Sequence, residues 1–162
     1  QLYRDNRITP IYEGTNSVQA IDLVFRKVLN NKILSKFVTL IKDEIKNDKN
    51  KTELKKFSKI LEHNLSLLLE FTNWLEDKNK NKKDDVSSAC NDFLKVLGYI
   101  SLGYSWFKTT KVSLEKLSEN KNFYEEKINT ANYFFDKIFP RIESHYHSAK
   151  TGSDSIMNAK FN

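Results

Sequence analysis

Apolar residues recur along most of this 162-residue chain at the three- and four-residue spacing that places them on one face of a helix. Polar and charged residues fill the positions between them, as on the solvent side of an amphipathic helix. The chain has only four Gly and two Pro, the residues that most often interrupt helices. The pattern predicts five helices, at about residues 16–29, 32–46, 52–77, 86–109 and 121–149.

Each predicted helix carries an apolar stripe that we expect to face a common core. The stripes comprise Val18, Ile21, Val24, Phe25 and Val28; Ile33, Leu34, Phe37, Val38, Ile41 and Ile45; Leu54, Phe57, Leu61, Leu65, Leu68 and Leu75; Val86, Cys90, Phe93, Leu97, Ile100 and Tyr104; and Phe123, Ile128, Ala131, Phe135, Ile138 and Ile142. Short connections between such helices favour antiparallel neighbours. The fold class is therefore all-α, an antiparallel helical bundle.

Several residues predict where the helices are interrupted. Pro10 should prevent a helix from running through the start of the chain, and Thr15 is a suitable N-cap for the helix after it. Pro140 is expected to kink the last helix. Gly152 should end it, which leaves residues 153–162 as a tail.

The connection between the third and fourth helices is predicted from its composition. Residues 76–85, EDKNKNKKDD, are wholly polar, which indicates an exposed loop with Asp84 or Asp85 capping the helix that follows. That helix contains Gly98 and Gly103, although a glycine inside a helix costs about 1 kcal/mol relative to Ala. We therefore expect close helix–helix contact at these two positions.

Composition and charge narrow the class of protein without selecting a function. The net charge of +6 permits binding to nucleic acid, an anionic membrane or an acidic ligand, but the lysines are scattered over most helices and their connections. No segment approaches the about 20 apolar residues of a membrane span. The single cysteine, Cys90, excludes an intramolecular disulfide and fits a reducing cytoplasm. The chain starts with Gln rather than Met and has no signal peptide, so we expect a piece of a longer protein.

One short segment, before the first predicted helix, carries candidate chemistry. Glu13 lies between Tyr12 and Gly14, and partial desolvation beside the aromatic ring would raise the pKa of its carboxyl toward that of a general base. Gly14 lets a ligand approach the backbone closely. The next three residues present donors at the start of a helix, which suits an anion. These donors are Thr15, Asn16 and Ser17. On spacing alone, Glu-Gly-Thr before a helix is more typical of an ordinary turn and cap than of a catalytic site.

The remaining candidates are weaker. His145 and His147 are two residues apart and do not share a helix face, and His63 stands alone, so we interpret all three as surface residues rather than metal ligands. Cys90 has no evident basic partner and is interpreted as a small core residue. The aromatic residues of 98–108 could stack on bases, but a helical aromatic stripe is more typical of a core.

The string RDNRITPIYEGTNSVQAIDLVFRK, residues 4–27, resembles the signature near the C-terminal end of acyl-CoA dehydrogenases, flavoproteins that oxidise an acyl-CoA thioester to the 2,3-enoyl-CoA. Three further segments resemble the helical extension of a longer subgroup, which includes the 3-methylmercaptopropionyl-CoA dehydrogenases and related bacterial enzymes. These segments are NDFLKVLGYISLGYSW, FYEEKINTANYFFDKIFPR and GSDSIM. The resemblance between residues 31 and 85 is looser.

The resemblance implies two domains and a role for each site residue. Residues 1–29 would end the family's C-terminal helical domain, and residues 30–162 would form an appended helical bundle. Glu13 would be the base that removes the substrate α-proton while the β-hydride goes to the flavin. Tyr12 and Gly14 would contact the substrate. The residues contacting FAD would be Thr15, Asn16 and Ser17. The remaining residues of the signature are interpreted as structural: Arg4, Asp5 and Arg7.

The resemblance also implies an acyl-CoA substrate, a homo-oligomeric full-length enzyme and an electron-transfer flavoprotein as acceptor, with no role for nucleic acid. The parts that would hold most of the FAD and the CoA are not in this chain, so the chain alone should be inactive. The alternative from composition is a free-standing basic helical interaction module without catalysis. It would require lysines gathered on one face of the folded bundle.

Overall fold

The computed structural model describes residues 1–9, 11, 14–31, 33–47 and 52–160, and for residues 47 and 53 the backbone alone. Nearly all of these residues are helical, and no strand occurs among them, which confirms the all-α prediction. The α-helices are α1 (Leu2–Asp5), α2 (Asn16–Ile21), α3 (Leu34–Asn47), α4 (Thr52–Asn81), α5 (Lys83–Glu115), α6 (Lys121–Tyr133), α7 (Arg141–Lys150) and α8 (Asp154–Met157). A 3₁₀ turn (Asn6–Ile8) follows α1, and π-helical segments follow α2 (Asp22–Asn30) and α6 (Phe134–Ile138).

The centre of the fold is α5, which packs against α4, α6, α7 and α2. It runs antiparallel to α4, because the chain reverses between the two helices at the single residue Lys82. The apolar stripe predicted for α4 is completely buried, and most of that predicted for α5 is buried as well. Burial of this many apolar side chains is the main source of stability in such a bundle.

Aromatic side chains join the central helices. Phe57 of α4 stacks on Phe135, with ring centroids 4.2 Å apart. Phe71 of α4 meets Phe93 of α5 edge-on at 5.2 Å and Tyr146 of α7 at 5.6 Å. Such contacts add about 0.5–1.5 kcal/mol each beyond the burial of area. They join α4 to α5, to α7 and to the second π-helical segment.

The predicted loop at residues 76–85 is wrong. Helix α4 continues to Asn81 and α5 begins at Lys83, so Lys82, with φ −148° and ψ 70°, is the connection. Lys and Glu are good helix formers, and a polar run can therefore extend a helix whose other turns are held by the core. Asp85 is not an exposed cap: it is only 2% exposed inside the first turn of α5. The polar composition correctly indicated that the chain reverses near the surface here. It did not indicate that the reversal takes a single residue.

The last predicted helix is interrupted at Pro140, where a change of course was expected. The second π-helical segment ends one residue before Phe139, whose N–H donates to the carbonyl of Phe134 at 2.9 Å. Pro140 has no N–H and takes the N-cap position of α7. Gly152, with φ +79°, then ends α7 in a conformation that glycine adopts readily. The predicted tail contains the short helix α8.

Only one of the two helix glycines has the predicted packing role. A Cβ at Gly103 would lie 2.4 Å from Cε2 of Phe139, so the glycine does permit close approach between α5 and the chain before α7. At Gly98 no atom of the described residues lies within 4 Å of the corresponding position, and the prediction is wrong there.

Some stripe residues at the ends of predicted helices face solvent. Val18 and Ile21 are 63% and 43% exposed, and Ile33 and Phe123 are about half exposed. Periodicity is least informative near a helix end, because neighbouring helices need not extend far enough to cover the apolar face there. Burial begins at Ala20, in the second turn of α2, and continues at Val24 in the π-helical segment after it. The predicted breaker Pro10 lies outside the described residues. The polar run KNDKNK, residues 46–51, predicts a link between the second and third helices; its first two residues instead end α3, and residues 48–51 lie outside the described residues.

Candidate functional site

The segment that carries the candidate site lies on the surface. Helix α1 and the 3₁₀ turn after it contain no buried residue. Their large apolar side chains are exposed, as is the isolated residue Ile11. Tyr12 and Glu13, the predicted substrate contact and base, lie outside the described residues. What the structure describes of the site is its C-terminal half, at the start of α2.

The four residues of that half are all exposed: Gly14, Thr15, Asn16 and Ser17. Thr15 occupies the predicted N-cap position in extended conformation, and its carbonyl accepts from the N–H of Gln19 at 3.2 Å. Its hydroxyl makes no capping hydrogen bond to α2. Two hydroxyls and an amide, on three consecutive exposed residues, are therefore a donor set suited to a polar, anionic ligand.

A hydrogen bond connects the described half of the candidate site to the bundle. The side-chain amide of Asn91, on α5, donates to the hydroxyl of Ser17 at 3.2 Å, although the two residues are 74 positions apart. Sequence reasoning missed Asn91, because an isolated Asn on a helix carries no motif of its own. Its place in the segment 91–106, which resembles the family extension, was the available signal.

The charged residues of the signature meet each other through Gln1. Arg4 donates to the side-chain oxygen of Gln1 at 2.8 Å, and Gln1 donates to the carboxylate of Asp5 at 2.8 Å. These groups are exposed, and Arg7 lies on the surface of the 3₁₀ turn. Contacts within one short helix agree with a structural interpretation of Arg4 and Asp5.

The histidines do not form a metal site in the part of the chain that the structure describes, where no group of three His, Cys, Asp or Glu side chains is placed to hold an ion. His63 and His147 are exposed, as predicted. His145 is instead partly buried: its Nδ1 lies 2.8 Å from a carboxylate oxygen of Asp92, and its ring stacks on Tyr99 at 5.9 Å. The prediction of an ordinary surface histidine is wrong for His145, which joins α7 to α5.

Cys90 is a core residue, as predicted. Its side chain is 1% exposed, and its sulfur lies 3.2 Å from the carbonyl of Val86. Burial raises the pKa of the Cys90 thiol to about 11. The group therefore remains a thiol at neutral pH and is a poor nucleophile.

A polar cluster around Asp85 was not predicted. One of its carboxylate oxygens accepts from the N–H of Ser153 at 2.9 Å and from the hydroxyl of Ser153 at 2.7 Å. Lys78 and Lys82 lie 3.4 Å from the carboxylate. Burial alone would raise the pKa of Asp85, but the two bonds from Ser153 and the two ammonium groups lower it to about 2. The cluster fixes the end of α7 to the reversal between α4 and α5, and it is structural.

An apolar crevice of about 220 Å³ lies between the first π-helical segment, α3 and α5. Its walls are formed by Leu23, Val28, Leu34, Phe37 and Leu97. None of the residues that line it belongs to the candidate site. None of the described helices is both long enough and apolar enough to span a membrane.

Comparison with known proteins gives the family. The family model described as acetyl-CoA dehydrogenase C-terminal like matches residues 37–160. The broad-specificity linear acyl-CoA dehydrogenase FadE5 of Mycobacterium tuberculosis is 25% identical over 172 residues, covering 97% of this chain and 28% of that protein. The 3-methylmercaptopropionyl-CoA dehydrogenase of Ruegeria pomeroyi is 64% identical over 31 residues, covering 19% of this chain and 5% of that protein.

The matches thus cover less than a third of the length of these curated relatives. The family match, by contrast, covers most of the chain, and it includes every residue from the second turn of α3 to the end of α8. The chain therefore belongs to the acetyl-CoA dehydrogenase C-terminal like family, which confirms the predicted relationship to acyl-CoA dehydrogenases.

Proposed function

We propose that this chain is the C-terminal part of an FAD-dependent acyl-CoA dehydrogenase, which converts an acyl-CoA thioester to the 2,3-enoyl-CoA. The observation that carries the proposal is the presence, in one chain, of the family match over residues 37–160 and the IYEGTN motif at residues 11–16. The family match supports the class of enzyme. The motif supports the position of its base.

Glu13 is the proposed base. The α-proton of a thioester is weakly acidic, so its removal requires a carboxylate whose pKa has been raised by a dry pocket. The proton passes from the substrate α-carbon to the carboxylate of Glu13. Negative charge then develops on the thioester carbonyl oxygen, where hydrogen-bond donors such as the backbone N–H of Glu13 stabilise it. Tyr12 and Gly14 flank the base and contact the substrate, and Gly14 leaves room for the acyl chain.

FAD is the proposed cofactor, and the donor set at the start of α2 fits it. The residues concerned are Thr15, Asn16 and Ser17, whose side chains are exposed and offer two hydroxyls and an amide to a polar ligand. The hydroxyl of Thr15 is not used in capping α2. When bound, the flavin supplies the chemistry that takes up the hydride from the β-carbon. The contribution of this chain is to hold part of the cofactor and to place Glu13 beside the substrate.

We also propose the division of the chain that the resemblance implies. Residues 1–29 end the catalytic helical domain, and residues 30–162 form the appended bundle, which packs against the rest of the enzyme or between its subunits. Leu2, Tyr3 and Val18 are largely exposed in this chain, and contact with the remainder of the enzyme would cover them. The chain alone should bind FAD weakly and have no turnover.

The proposed substrate class is acyl-CoA. The proposed full-length enzyme is a cytoplasmic homo-oligomer, and its proposed electron acceptor is an electron-transfer flavoprotein. The relatives are named for linear acyl-CoA and for 3-methylmercaptopropionyl-CoA. Both kinds of thioester therefore belong in a substrate panel.

The test is turnover of that panel by the full-length protein loaded with FAD, with an artificial electron acceptor and mass detection of the enoyl-CoA. Glu13→Gln should lower kcat by about 100-fold or more, because general-base catalysis contributes about 10²–10⁴. Asp43→Asn, an equivalent change at an exposed position of α3, should retain the wild-type kcat. The proposal would be overturned if no thioester in the panel were converted to its enoyl-CoA, or if Glu13→Gln turned over as fast as the wild type.

A further inference from the structure

The exposed start of α2 is attached to the bundle by a polar contact rather than by apolar packing. The residues from Asn16 to Gln19 are all exposed, and burial begins only at Ala20. The bond from Asn91 reaches Ser17, three residues before the first buried residue of α2, Ala20. Asn91 therefore connects the first turn of α2 to α5 where the core does not cover it.

The backbone of Asn91 is held firmly, although its side chain is exposed. Its neighbours on α5 are Cys90, at 1% exposure, and Asp92, which contacts His145 of α7 at 2.8 Å. Phe93, two residues on, is fully buried against Phe71 of α4. A residue between such anchors has a fixed backbone, and a functional group is positioned best by a rigid support.

The direction of the hydrogen bond matters for the chemistry of Ser17. A serine hydroxyl has one proton and two lone pairs. When the amide of Asn91 donates to one lone pair, the hydroxyl proton is left to be donated to another acceptor. Asn91 thereby orients Ser17 as a donor, which is the role that contact with the oxygen atoms or ring nitrogens of a cofactor requires.

We infer that Asn91, in the appended bundle, is a positioning residue for Ser17 at the start of α2, acting through its hydrogen bond to the Ser17 hydroxyl. The inference rests on the proposed function. It gives the appended bundle a definite role: α5, through Asn91, orients Ser17, a proposed contact of FAD.

The experiment uses the full-length protein and four variants: Asn91→Ala, Asn91→Asp, Ser17→Ala and the double variant Asn91→Ala/Ser17→Ala. Two quantities are measured, the FAD dissociation constant by flavin fluorescence and the rate of flavin bleaching by a saturating acyl-CoA. Asn91→Asp keeps the size of the side chain but removes the donor. The matched controls are Asn129→Ala and Asn129→Asp, because Asn129 is an exposed Asn inside α6.

We expect each single variant to raise the FAD dissociation constant, and to lower the bleaching rate, by about 3- to 10-fold, the effect of losing one ordinary hydrogen bond. The double variant should be no worse than the worse single variant, because both changes remove the same interaction. The melting temperature of the bundle should follow that of the controls, since the bond is exposed.

Two results would overturn the inference: Asn91 variants that match their Asn129 controls in both quantities, or effects of Asn91→Ala and Ser17→Ala that add. Failure of the proposed function is distinguishable. In that case Glu13→Gln would bleach like the wild type, whatever the Asn91 variants do. If Glu13→Gln does not bleach and the Asn91 variants match their controls, only the role of Asn91 is refuted.

Discussion

At the scale of single residues, the two glycines of α5 show how neighbours decide what a residue contributes. A methyl group at Gly103 would meet the ring of Phe139, which is buried and packed against Phe134 and Phe135. At Gly98 the same methyl group meets no atom of the described residues. In the sequence both glycines lie inside the same predicted helix. Only the position of Phe139 in the fold distinguishes the tightly packed glycine from the other.

Gly103→Ala should therefore destabilise the chain by about 1–3 kcal/mol through overpacking. Gly98→Ala should stabilise it by about 0.5–1 kcal/mol, because Ala is the better helix former and no contact opposes it. Denaturant unfolding followed by circular dichroism measures both changes. Equal effects of the two substitutions would show that α5 and Phe139 are not packed as described.

Asp85 gives a prediction for the effect of pH. Its pKa in the folded chain is about 2, below the ordinary value of 3.8. A carboxyl whose pKa is lowered on folding stabilises the folded state above its unfolded pKa, and this contribution is lost as the pH falls through the folded pKa. The unfolding free energy should therefore drop between about pH 5 and pH 2.

Asp85→Asn should remove the pH-dependent contribution of this carboxylate to the unfolding free energy. The unfolding free energy of the variant should therefore lie well below that of the wild type at pH 7, and the difference should shrink toward pH 2. Asp154→Asn is the control, because Asp154 also pairs with Lys82 but is highly exposed. The measurement is the urea-unfolding free energy at several pH values. A deficit for Asp85→Asn that stays constant from pH 7 to pH 2 would contradict the assigned pKa.

At the scale of elements, periodicity predicted the helices and most of their inward faces. The stripe of α4 from Leu54 to Leu75 is buried throughout. Helix lengths were less predictable: α5 is 33 residues long and extends beyond the predicted 86–109 at both ends. The reason is physical, since the polar ends of α4 and α5 are held by contacts with distant residues, such as Asp85 with Ser153. No local pattern encodes a partner 68 residues away.

Amide hydrogen exchange tests the central place of α5. Eleven residues of α5 are buried, whereas α1 and the 3₁₀ turn have none. Peptides from the middle of α5 should exchange last, through global unfolding, and those covering residues 2–9 should exchange close to the intrinsic rate. Mass spectrometry of the exchanging chain gives both rates. Comparable protection of the two segments would contradict the packing order described.

At the scale of the whole molecule, the candidate site could be located from the sequence but not completed. The IYEGTN motif predicted the segment, and the family match over residues 37–160 confirms the resemblance to acyl-CoA dehydrogenases for the rest of the chain. The link from Ser17 to Asn91 and the anchoring of α7 by His145 needed the fold, because each joins residues far apart in the chain.

The most direct test of the central claim is flavin bleaching in the full-length protein. The FAD-loaded wild type and Glu13→Gln are each mixed anaerobically with an acyl-CoA, and the visible absorbance of the flavin is followed. We predict that the wild type bleaches, and that Glu13→Gln binds the thioester without bleaching, because the amide cannot take up the α-proton. Equal bleaching of the two proteins would show that the base lies elsewhere, and no bleaching of the wild type by any thioester would contradict the proposed activity.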